Sequence, residues 1–408
     1  MIMKKFSLLG LCLAAGFTLS AQADLVKEVE HALKESSPNY EAALKSIQPA
    51  LTNPETKDLA QPWYLAGKAG FGLYDQLYIQ ESLGNALDAA GKKKAGQAII
   101  EAYGNYFTAI PLDAQPDAKG KVKPKYTKDM VKTIKNNYGQ LRNAGALLFE
   151  AQDFKGAYDA WDLYVNLPSN PVLGKDAPAS DPDTIVGNIM YYQLLAALSA
   201  DMNAEALAKV APIEKSGYKN MDVYVYGIEA ARRLNDTVAM LELAKKGYDM
   251  YGTQNIQFIG QLINDKLNSN DFAASEKLVN EAIAATDDAQ IKSQLYDILG
   301  VVYEQQERDA EAIDCFDKAI NTDPEVGKNY YDKARIIYNQ AVKLDEESDG
   351  GAERNDQVVA ALLQAAELFE KAYGLDEDNL GGVPNLLYRL YYRLGQGYED
   401  KADYWKDK

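Results

Sequence analysis

The side chains that most often carry out catalysis are scarce in this sequence. His31 is the only histidine, and the cysteines are Cys12 and Cys315. Histidine-based metal sites, Cys-His pairs and Ser-His-Asp triads would all need His31, which lies in an acidic segment near the N-terminus. Cys315 precedes Phe316 and has no base beside it. Such a setting is typical of a packed thiol, so we predict no nucleophile at Cys315.

Carboxylates are the one abundant reactive group. The chain has 60 acidic and 43 basic residues, which gives a net charge of −17 at pH 7. Paired carboxylates can catalyse hydrolysis, but here they gather at predicted helix ends and in loops, where solvated charge is the default. The sequence also lacks a phosphate-binding glycine loop, a zinc-helix motif and a nucleophile elbow. We therefore predict a protein that is not an enzyme, needs no cofactor and binds no nucleic acid.

One acidic segment has the spacing of an EF-hand-like calcium loop. Glu347 and Asp356 depart from that pattern, which prefers Asp or Asn at position three and a bidentate Glu at position twelve. The same residues suit a polar insertion between two helices, so the sequence favours no metal site. Positions one, three, five, six, nine and twelve of the loop are Asp345, Glu347, Asp349, Gly350, Glu353 and Asp356.

The elements that would position these residues are helices. Bulky and small residues recur at steps of three and four in two stripes within residues 289–324, separated by a polar turn at 307–309. This spacing predicts two antiparallel helices, with Gly300 leaving room for the second one and Pro324 ending it. The packing residues are Tyr296, Leu299, Gly300, Tyr303, Ala312, Phe316, Ala319 and Pro324.

These residues resemble the tetratricopeptide repeat, and the chain is identified as an exported bacterial member of that family. The resemblance implies an all-α fold: a right-handed superhelical solenoid of antiparallel helix pairs with a C-terminal capping helix. A second clear repeat spans residues 326–378, where Ala334 lies 34 residues after Gly300. The capping helix is predicted over residues 384–406, with the stripe Tyr391, Leu394 and Tyr398.

The repeat is degenerate or expanded over residues 24–286. Gly67 and Gly145 still occupy matching offsets, but residues 183–287 keep only a helical periodicity. We predict one solenoid over residues 24–408, in which the Pro-bearing stretches 111–125 and 168–182 are loops and not domain boundaries.

Residues 1–23 have the three regions of a secretory signal peptide. Lys4 and Lys5 precede an apolar run, and Ala21 and Ala23 provide small residues for cleavage after Ala23. We therefore predict export to the periplasm or the outer-membrane face, with no transmembrane segment in the mature chain. Leu11 precedes Cys12, where a lipoprotein signal needs a small residue, so a lipid-anchored form is the lesser alternative.

The resemblance also implies where a ligand would bind. In this family the first helix of each pair lines the concave groove, and contacts come from residues off its packing stripe. Exposed aromatic faces and guanidinium groups there suit an extended peptide or a sugar ring, unless the long side chains merely cover the groove. The predicted binding residues are Lys328, Tyr331, Arg335, Tyr338, Asn339, Arg389, Tyr392 and Gln396.

A basic segment from Lys92 to Lys135 interrupts the acidity. It begins with three consecutive lysines, and it either docks an acidic partner or another copy of the chain, or forms a solvated loop beside a helix. The later lysines are Lys119, Lys121, Lys123, Lys125, Lys128, Lys132 and Lys135.

These observations favour a monomeric interaction scaffold that binds a protein partner. The alternative is a glycan-binding protein related in fold to tetratricopeptide proteins that capture carbohydrate, although those usually carry a lipid-anchor cysteine and large inserted segments. An enzyme is the third and disfavoured class.

Overall fold

The computed structural model describes residues 23–117, 119–347 and 356–408, which form an all-α fold. In these ranges the only extended pairing is an isolated antiparallel bridge between Pro116 and Val122. The chain divides into two compact units, Met1–Asn235 (unit 1) and Asp236–Lys408 (unit 2). The boundary falls in neither of the Pro-bearing stretches, and one continuous solenoid over residues 24–408 stays a prediction. Residues 1–22 of the predicted signal peptide, including Cys12, lie outside the described ranges.

Unit 1 is built from helices that mostly pack on their neighbours in sequence. Helix α4 is an exception, because it contacts α6 and α7 as well as its neighbour α5. Helix α5 therefore does not separate α4 from α6. The helices are α1 (23–32), α2 (Tyr40–Thr52), α3 (Ala60–Ser82), α4 (Ala89–Asp113), α5 (Thr127–Asn137), α6 (Gln140–Glu150), α7 (Phe154–Asn166), α8 (Asp183–Ser199), α9 (Asn203–Lys215) and α10 (Asp222–Arg233).

In unit 2 each helix packs against the next one. Its helices are α11 (Thr237–Tyr251), α12 (Ile256–Asn268), α13 (Phe272–Ala285), α14 (Ala289–Glu304), α15 (Asp309–Thr322), α16 (Gly327–Glu347), α17 (Asp356–Leu375), α18 (Val383–Leu394) and α19 (Glu399–Lys406). Within the described ranges, no helix combines the length and the apolar content that a bilayer span requires.

Small residues let the paired helices approach closely, as the sequence predicts. A β-carbon added at Gly300 of α14 would lie 2.6 Å from Cε1 of Phe316 on α15. The same close approach joins Gly145 to Trp161 and Gly67 to Tyr106, in each case at 2.2 Å from a ring atom. The predicted pair at residues 289–324 is confirmed, and α15 ends at Thr322, just before Pro324.

A recurring turn fixes the register of the degenerate repeats. In the described part of the chain, each non-glycine residue with positive φ stands between two helices: Gln152, Asp201, Asn235, Asn270 and Glu307, with φ of 57° to 59°. In three of these turns the next residue is an aspartate whose carboxylate accepts a hydrogen bond from the first turn of the following helix. Within the two units, the turn therefore marks α6, α8, α12 and α14 as the first helices of their pairs.

Two boundaries differ from the prediction. The single capping helix at 384–406 is wrong, because α18 ends at Leu394 and α19 begins at Glu399. Gly395 and Gly397 lie between them with φ of 77° and 94°, a conformation that terminates the helix. The first loop is also shorter than predicted, since α4 continues through Pro111 to Asp113.

Candidate functional site

An aromatic groove lies in unit 1 and is lined by residues of α6, α7, α8 and α10. It consists of two adjoining cavities of about 430 and about 380 Å³ that share Phe149 and Leu195. The larger cavity is lined by Arg142, Ala146, Phe149, Glu150, Trp161, Ile189, Tyr192 and Leu195. The smaller one adds Leu198, Ser199, Tyr226, Glu229 and Arg233. We call this surface the aromatic groove.

The aromatic side chains of the groove are held in place by their packing. Trp161 of α7 is buried, and its indole N–H donates to the carbonyl of Arg142 at 3.1 Å. The Trp161 ring lies 6.1 Å from the Phe149 ring and 5.6 Å from the Tyr192 ring. Tyr192 keeps 41% of its surface exposed, so the groove presents a supported aromatic face to solvent.

A second layer of tyrosines supports α8 next to the groove. The ring of Tyr191 lies 5.8 Å from that of Tyr192, 6.0 Å from Tyr218 and 6.4 Å from Tyr226. Burial, together with the nearby Asp222 carboxylate, raises the pKa of Tyr191 to about 12. The hydroxyl of Tyr191 therefore stays neutral at physiological pH, and the cluster is apolar with a few hydrogen-bonding groups.

Charged residues of both signs border the aromatic groove. The Arg142 guanidinium lies over the Tyr164 ring at 5.7 Å, and Glu150 accepts a hydrogen bond from Lys92 at 2.5 Å. At the other end, hydrogen bonds from Arg232 and Arg233 lower the pKa of Glu229 to about 2. Both ends of the groove therefore carry fixed charges at neutral pH.

The predicted binding residues Lys328 and Arg335 belong to a charge network in unit 2. The Lys328 ammonium donates to Asp297 of α14 and to Asp332 of α16. Arg335 donates to Glu304 and, at 3.0 Å, to Asp332. The network holds three carboxylates and two cations, so both predicted cations are already paired between neighbouring repeats.

Asp297 is the most buried carboxylate of this network. It is 5% exposed, and its Oδ1 atom has no hydrogen-bond partner among the described residues. Burial and the neighbouring Asp332 carboxylate together raise the pKa of Asp297 to about 6, against the attraction of Lys328. The network is thus a structural ion cluster with excess negative charge, and it offers no free cation to a ligand.

The other predicted binding residues are dispersed. Tyr331 and Tyr338 pack edge-on against Phe369, with ring centroids 5.5 and 6.5 Å apart, so the prediction that they lie off the packing stripe is wrong. Asn339 and Arg389 are exposed, and Tyr392 is 74% exposed. Gln396 lies in the glycine turn after α18 and not on a helix.

The EF-hand-like segment is divided between two helices. Asp345 and Glu347 lie in the last turn of α16, and Asp356 begins α17, whereas Asp349, Gly350 and Glu353 lie outside the described residues. The Asp345 carboxylate pairs with Arg393 of α18 at 2.9 Å. Among the described residues, no group of three potential metal ligands occurs.

The two residues singled out for nucleophilic chemistry have ordinary surroundings. Cys315 is 3% exposed in α15, and burial raises the pKa of its thiol to about 11, so the prediction of a packed thiol is confirmed. His31 is exposed on α1.

No protein-family profile and no curated protein matches this chain. Several solved structures are similar. The C-terminal part of a TPR repeat-containing protein from Cytophaga hutchinsonii is 14% identical and covers 64% of this chain and 92% of its own, with a TM-score of 0.42. YrrB, described as a TPR protein with an unusual peptide-binding site, is 18% identical and covers 47% of this chain and 91% of its own, with a TM-score of 0.34.

A TPR repeats protein from Bacteroides fragilis is 15% identical and covers 63% of this chain and 98% of its own, with a TM-score of 0.28. These scores are too low to carry an argument about function. The description of the fold rests instead on the chain itself, on the close approach of Gly300 to Phe316 and on the recurring turn between paired helices. By that packing, the protein has an all-α fold of tetratricopeptide-like helix pairs.

Proposed function

We propose that this protein is a non-catalytic interaction scaffold that binds a segment of a partner protein in the aromatic groove. The supporting observation is the 41% exposed Tyr192, held against the buried Trp161 beside a cavity of about 430 Å³. Large, rigid aromatic side chains around a pocket are the residues that contribute most to protein interfaces.

The groove suits an extended segment with an apolar or aromatic anchor residue. Burying one such side chain contributes roughly 1.5–3 kcal/mol, and charges at both ends of the groove can pair with polar groups that flank the anchor. Arg142 and Glu150 border one cavity, and Glu229 and Arg233 border the other. Glu229 and Arg233 already pair with each other at 2.7 Å, so the polar groups of a peptide would bind mainly at the end that carries Arg142.

Site-specific photo-crosslinking tests this proposal. A benzophenone side chain would replace Tyr192 in one variant and Leu83, which is 75% exposed in the turn after α3, in a control variant. We expect a crosslinked protein partner at position 192 and none at position 83, and we expect Tyr192→Ser to release that partner in a pull-down. Equal crosslinking at both positions, or a partner that Tyr192→Ser retains, would reject the groove as the binding site.

We also propose that the scaffold is exported and acts in the periplasm or at the outer-membrane face. The support is the order of a basic start, an apolar run and small residues within residues 1–23. Intact-mass measurement of the protein recovered from the envelope fraction should give a chain that begins at Asp24. A full-length chain in the cytosolic fraction would contradict export.

A glycan is the second candidate ligand, because Tyr192 and Tyr392 expose aromatic faces on which a sugar ring can stack. A glycan array distinguishes the two functions. Sugar binding that Tyr192→Ser or Tyr392→Ser abolishes, together with no crosslinked protein at position 192, would replace the protein partner by a carbohydrate.

A further inference from the structure

The loop between α4 and α5 is held in one conformation by two aspartates. The Asp113 carboxylate accepts hydrogen bonds from the backbone N–H groups of Lys125, Tyr126 and Thr127, at 2.8 to 3.0 Å, and from the Thr127 hydroxyl. Asp117 accepts from the N–H groups at positions 119 and 121. These aspartates bind the loop backbone and form no ion pair with a lysine in the described ranges, so they only partly offset the charge of the lysines around them.

The third acid of this region is also engaged. Asp129 of α5 accepts a hydrogen bond from the Tyr64 hydroxyl at 2.8 Å, and the Tyr64 ring stacks on Tyr126 at 4.5 Å. Lys125 in turn lies over the Tyr126 ring at 4.8 Å. Residues 113–137 therefore contain three aspartates, all bonded internally, and seven lysines.

Six of these lysines are exposed, three in the loop and three on one face of α5, and we call this set the lysine patch. On α5 the lysines at 128, 132 and 135 follow i, i+4 and i+7 spacing, opposite the buried Met130 and Ile134. They cover about 10 Å along one helix face. None of the six has an ion-pair partner in the described ranges. The lysine patch is Lys119, Lys121, Lys123, Lys128, Lys132 and Lys135.

The first lysines of the basic segment behave differently. Lys92, Lys93 and Lys94 lie in α4, and each is paired with a carboxylate: Lys92 with Glu150 and Glu81, Lys93 with Asp153, and Lys94 with Glu41. The basic segment therefore consists of a neutralised part in α4 and an unneutralised part in the loop and α5. Only the second part leaves its charges available to another molecule.

We propose that the lysine patch binds an acidic, Asp- and Glu-rich segment of a partner protein. This surface is distinct from the residues of the aromatic groove and does not depend on the function proposed for the groove. A lysine ammonium group is a point charge and lacks the planar, two-pronged hydrogen-bonding geometry of a guanidinium group. It therefore suits a flexible row of carboxylates more than a single bidentate contact. An extended segment can follow the lysines from the loop along α5.

The net charge of −17 selects this occupant over two others. A membrane of anionic lipid or a second copy of this chain would present a large negative surface, which the rest of the molecule repels. A short acidic segment is attracted mainly by charges within one Debye length, about 10 Å at 0.1 M salt. Within that distance the lysine patch dominates, and the distant acids are screened.

Binding of a fluorescein-labelled oligoglutamate, followed by fluorescence anisotropy, tests this proposal. Lys119→Gln/Lys121→Gln/Lys123→Gln is compared with the matched control Lys92→Gln/Lys93→Gln/Lys94→Gln. Both triple variants remove three positive charges, but the control removes lysines that are already paired with carboxylates. A second test variant, Lys128→Gln/Lys132→Gln/Lys135→Gln, guards against local distortion of the loop, and circular dichroism checks folding.

We expect oligoglutamate to bind the unmodified protein at about 0.1 M salt and to dissociate at about 1 M, where the Debye length is about 3 Å. Each test variant should weaken binding about tenfold, and the control less than about twofold. No binding at low salt, or equal weakening in test and control variants, would overturn the proposal. Tighter binding to vesicles of anionic phospholipid that depends on the patch would overturn the choice of a protein segment.

Discussion

Replacing Gly300 by alanine tests whether close helix packing holds the tetratricopeptide-like pairs together. The added β-carbon would lie 2.6, 2.8 and 2.9 Å from three atoms of the Phe316 ring, closer than side-chain carbons approach one another. Phe316 is fully buried, so its ring has no open space to enter. Either the ring leaves its rotamer or α14 and α15 move apart.

The magnitude follows from two opposing terms. Overpacking a buried contact costs about 1–3 kcal/mol, whereas alanine is favoured over glycine inside a helix by about 1 kcal/mol. Because all three contacts are shorter than 3.0 Å, the overpacking cost lies in the upper part of that range, about 2–3 kcal/mol. We therefore expect Gly300→Ala to destabilise the α14–α15 pair by about 1–2 kcal/mol. The matched control is Gly260 in α12 of the same unit, where an added β-carbon meets no atom within 4 Å. Gly260→Ala keeps only the favourable term and should stabilise by up to about 1 kcal/mol.

Hydrogen exchange measured by mass spectrometry reads these two effects locally. Since 1.4 kcal/mol is a factor of ten, amides of residues 289–322 should exchange roughly five to thirty times faster in Gly300→Ala. Amides of residues 256–285 should exchange more slowly in Gly260→Ala. If Gly300→Ala left exchange unchanged or slowed it, the glycine would not be needed for the close approach, and the packing argument would be refuted.

Three further predictions concern buried or internally bonded groups. Because the folded pKa of Asp297 is about 6, above its ordinary value of 3.8, unit 2 should lose stability as pH rises from about 4 to about 6. Asp297→Asn should remove this pH dependence from the melting temperature. Curves of melting temperature against pH that stay parallel in the variant and the unmodified protein would contradict the prediction. In a chain that begins at Asp24, and so lacks Cys12, Cys315 has a raised pKa of about 11 and should react slowly with a thiol reagent at pH 8. The same thiol should react rapidly once denaturant unfolds the protein. Rapid labelling of the folded protein would show instead that the thiol is accessible. Burial alone would raise the pKa of Asp113, but hydrogen bonds from Thr127 and the loop backbone outweigh it and lower that pKa. The ionised Asp113 carboxylate therefore stabilises the folded loop at pH values above the ordinary pKa of an aspartate, and this stabilisation is lost as the pH falls through the lowered pKa. Asp113→Ala should destabilise the loop by about 1–3 kcal/mol, measured as faster exchange over residues 119–137 at neutral pH, and unchanged exchange there would show that the loop does not need this carboxylate.

The parts of the fold that could be predicted depend on residues close in sequence. Gly300 and Phe316 lie in consecutive helices, so their spacing alone indicates that they meet, and the structure confirms it. The end of α18 also had a local signal, since Gly395 and Gly397 stand two residues apart. The prediction missed it because Tyr391 and Tyr398 continue a helical spacing across the glycines, and that spacing was given more weight than the glycine pair.

The aromatic groove could not be predicted by the same reasoning. Phe149, Tyr192 and Tyr226 come from three separate helices, and whether their side chains meet depends on the offset between neighbouring pairs. A usable signal was present in the turns. A residue that tolerates positive φ, followed by an aspartate cap, as at Asn270 and Asp271, recurs where the repeat motif itself is degenerate. Those turns would have set the register of α6 and α8.

The pairing of the predicted ligand-contact cations could not be deduced from the sequence for a related reason. Lys328 and Arg335 look free when α16 is considered alone, but their partners Asp297 and Glu304 lie on the preceding first helix. The ion-pair partners of charged residues in a repeat array can therefore be identified only when adjacent repeats are considered together. The lysines of the patch differ because the nearby aspartates bond to backbone groups and to Tyr64, which leaves the ammonium groups unpaired.

The two proposed binding surfaces can be separated because they depend on different forces. Burial of an apolar anchor beside Tyr192 changes little with salt, since the hydrophobic contribution does not rely on free charges. Attraction to the lysine patch falls steeply as the Debye length shortens. A partner that uses both surfaces should therefore lose only part of its affinity at about 1 M salt, and Tyr192→Ser should remove most of what remains. If high salt alone abolished binding, the groove would contribute nothing to that partner, and the exposed aromatic face would need another explanation.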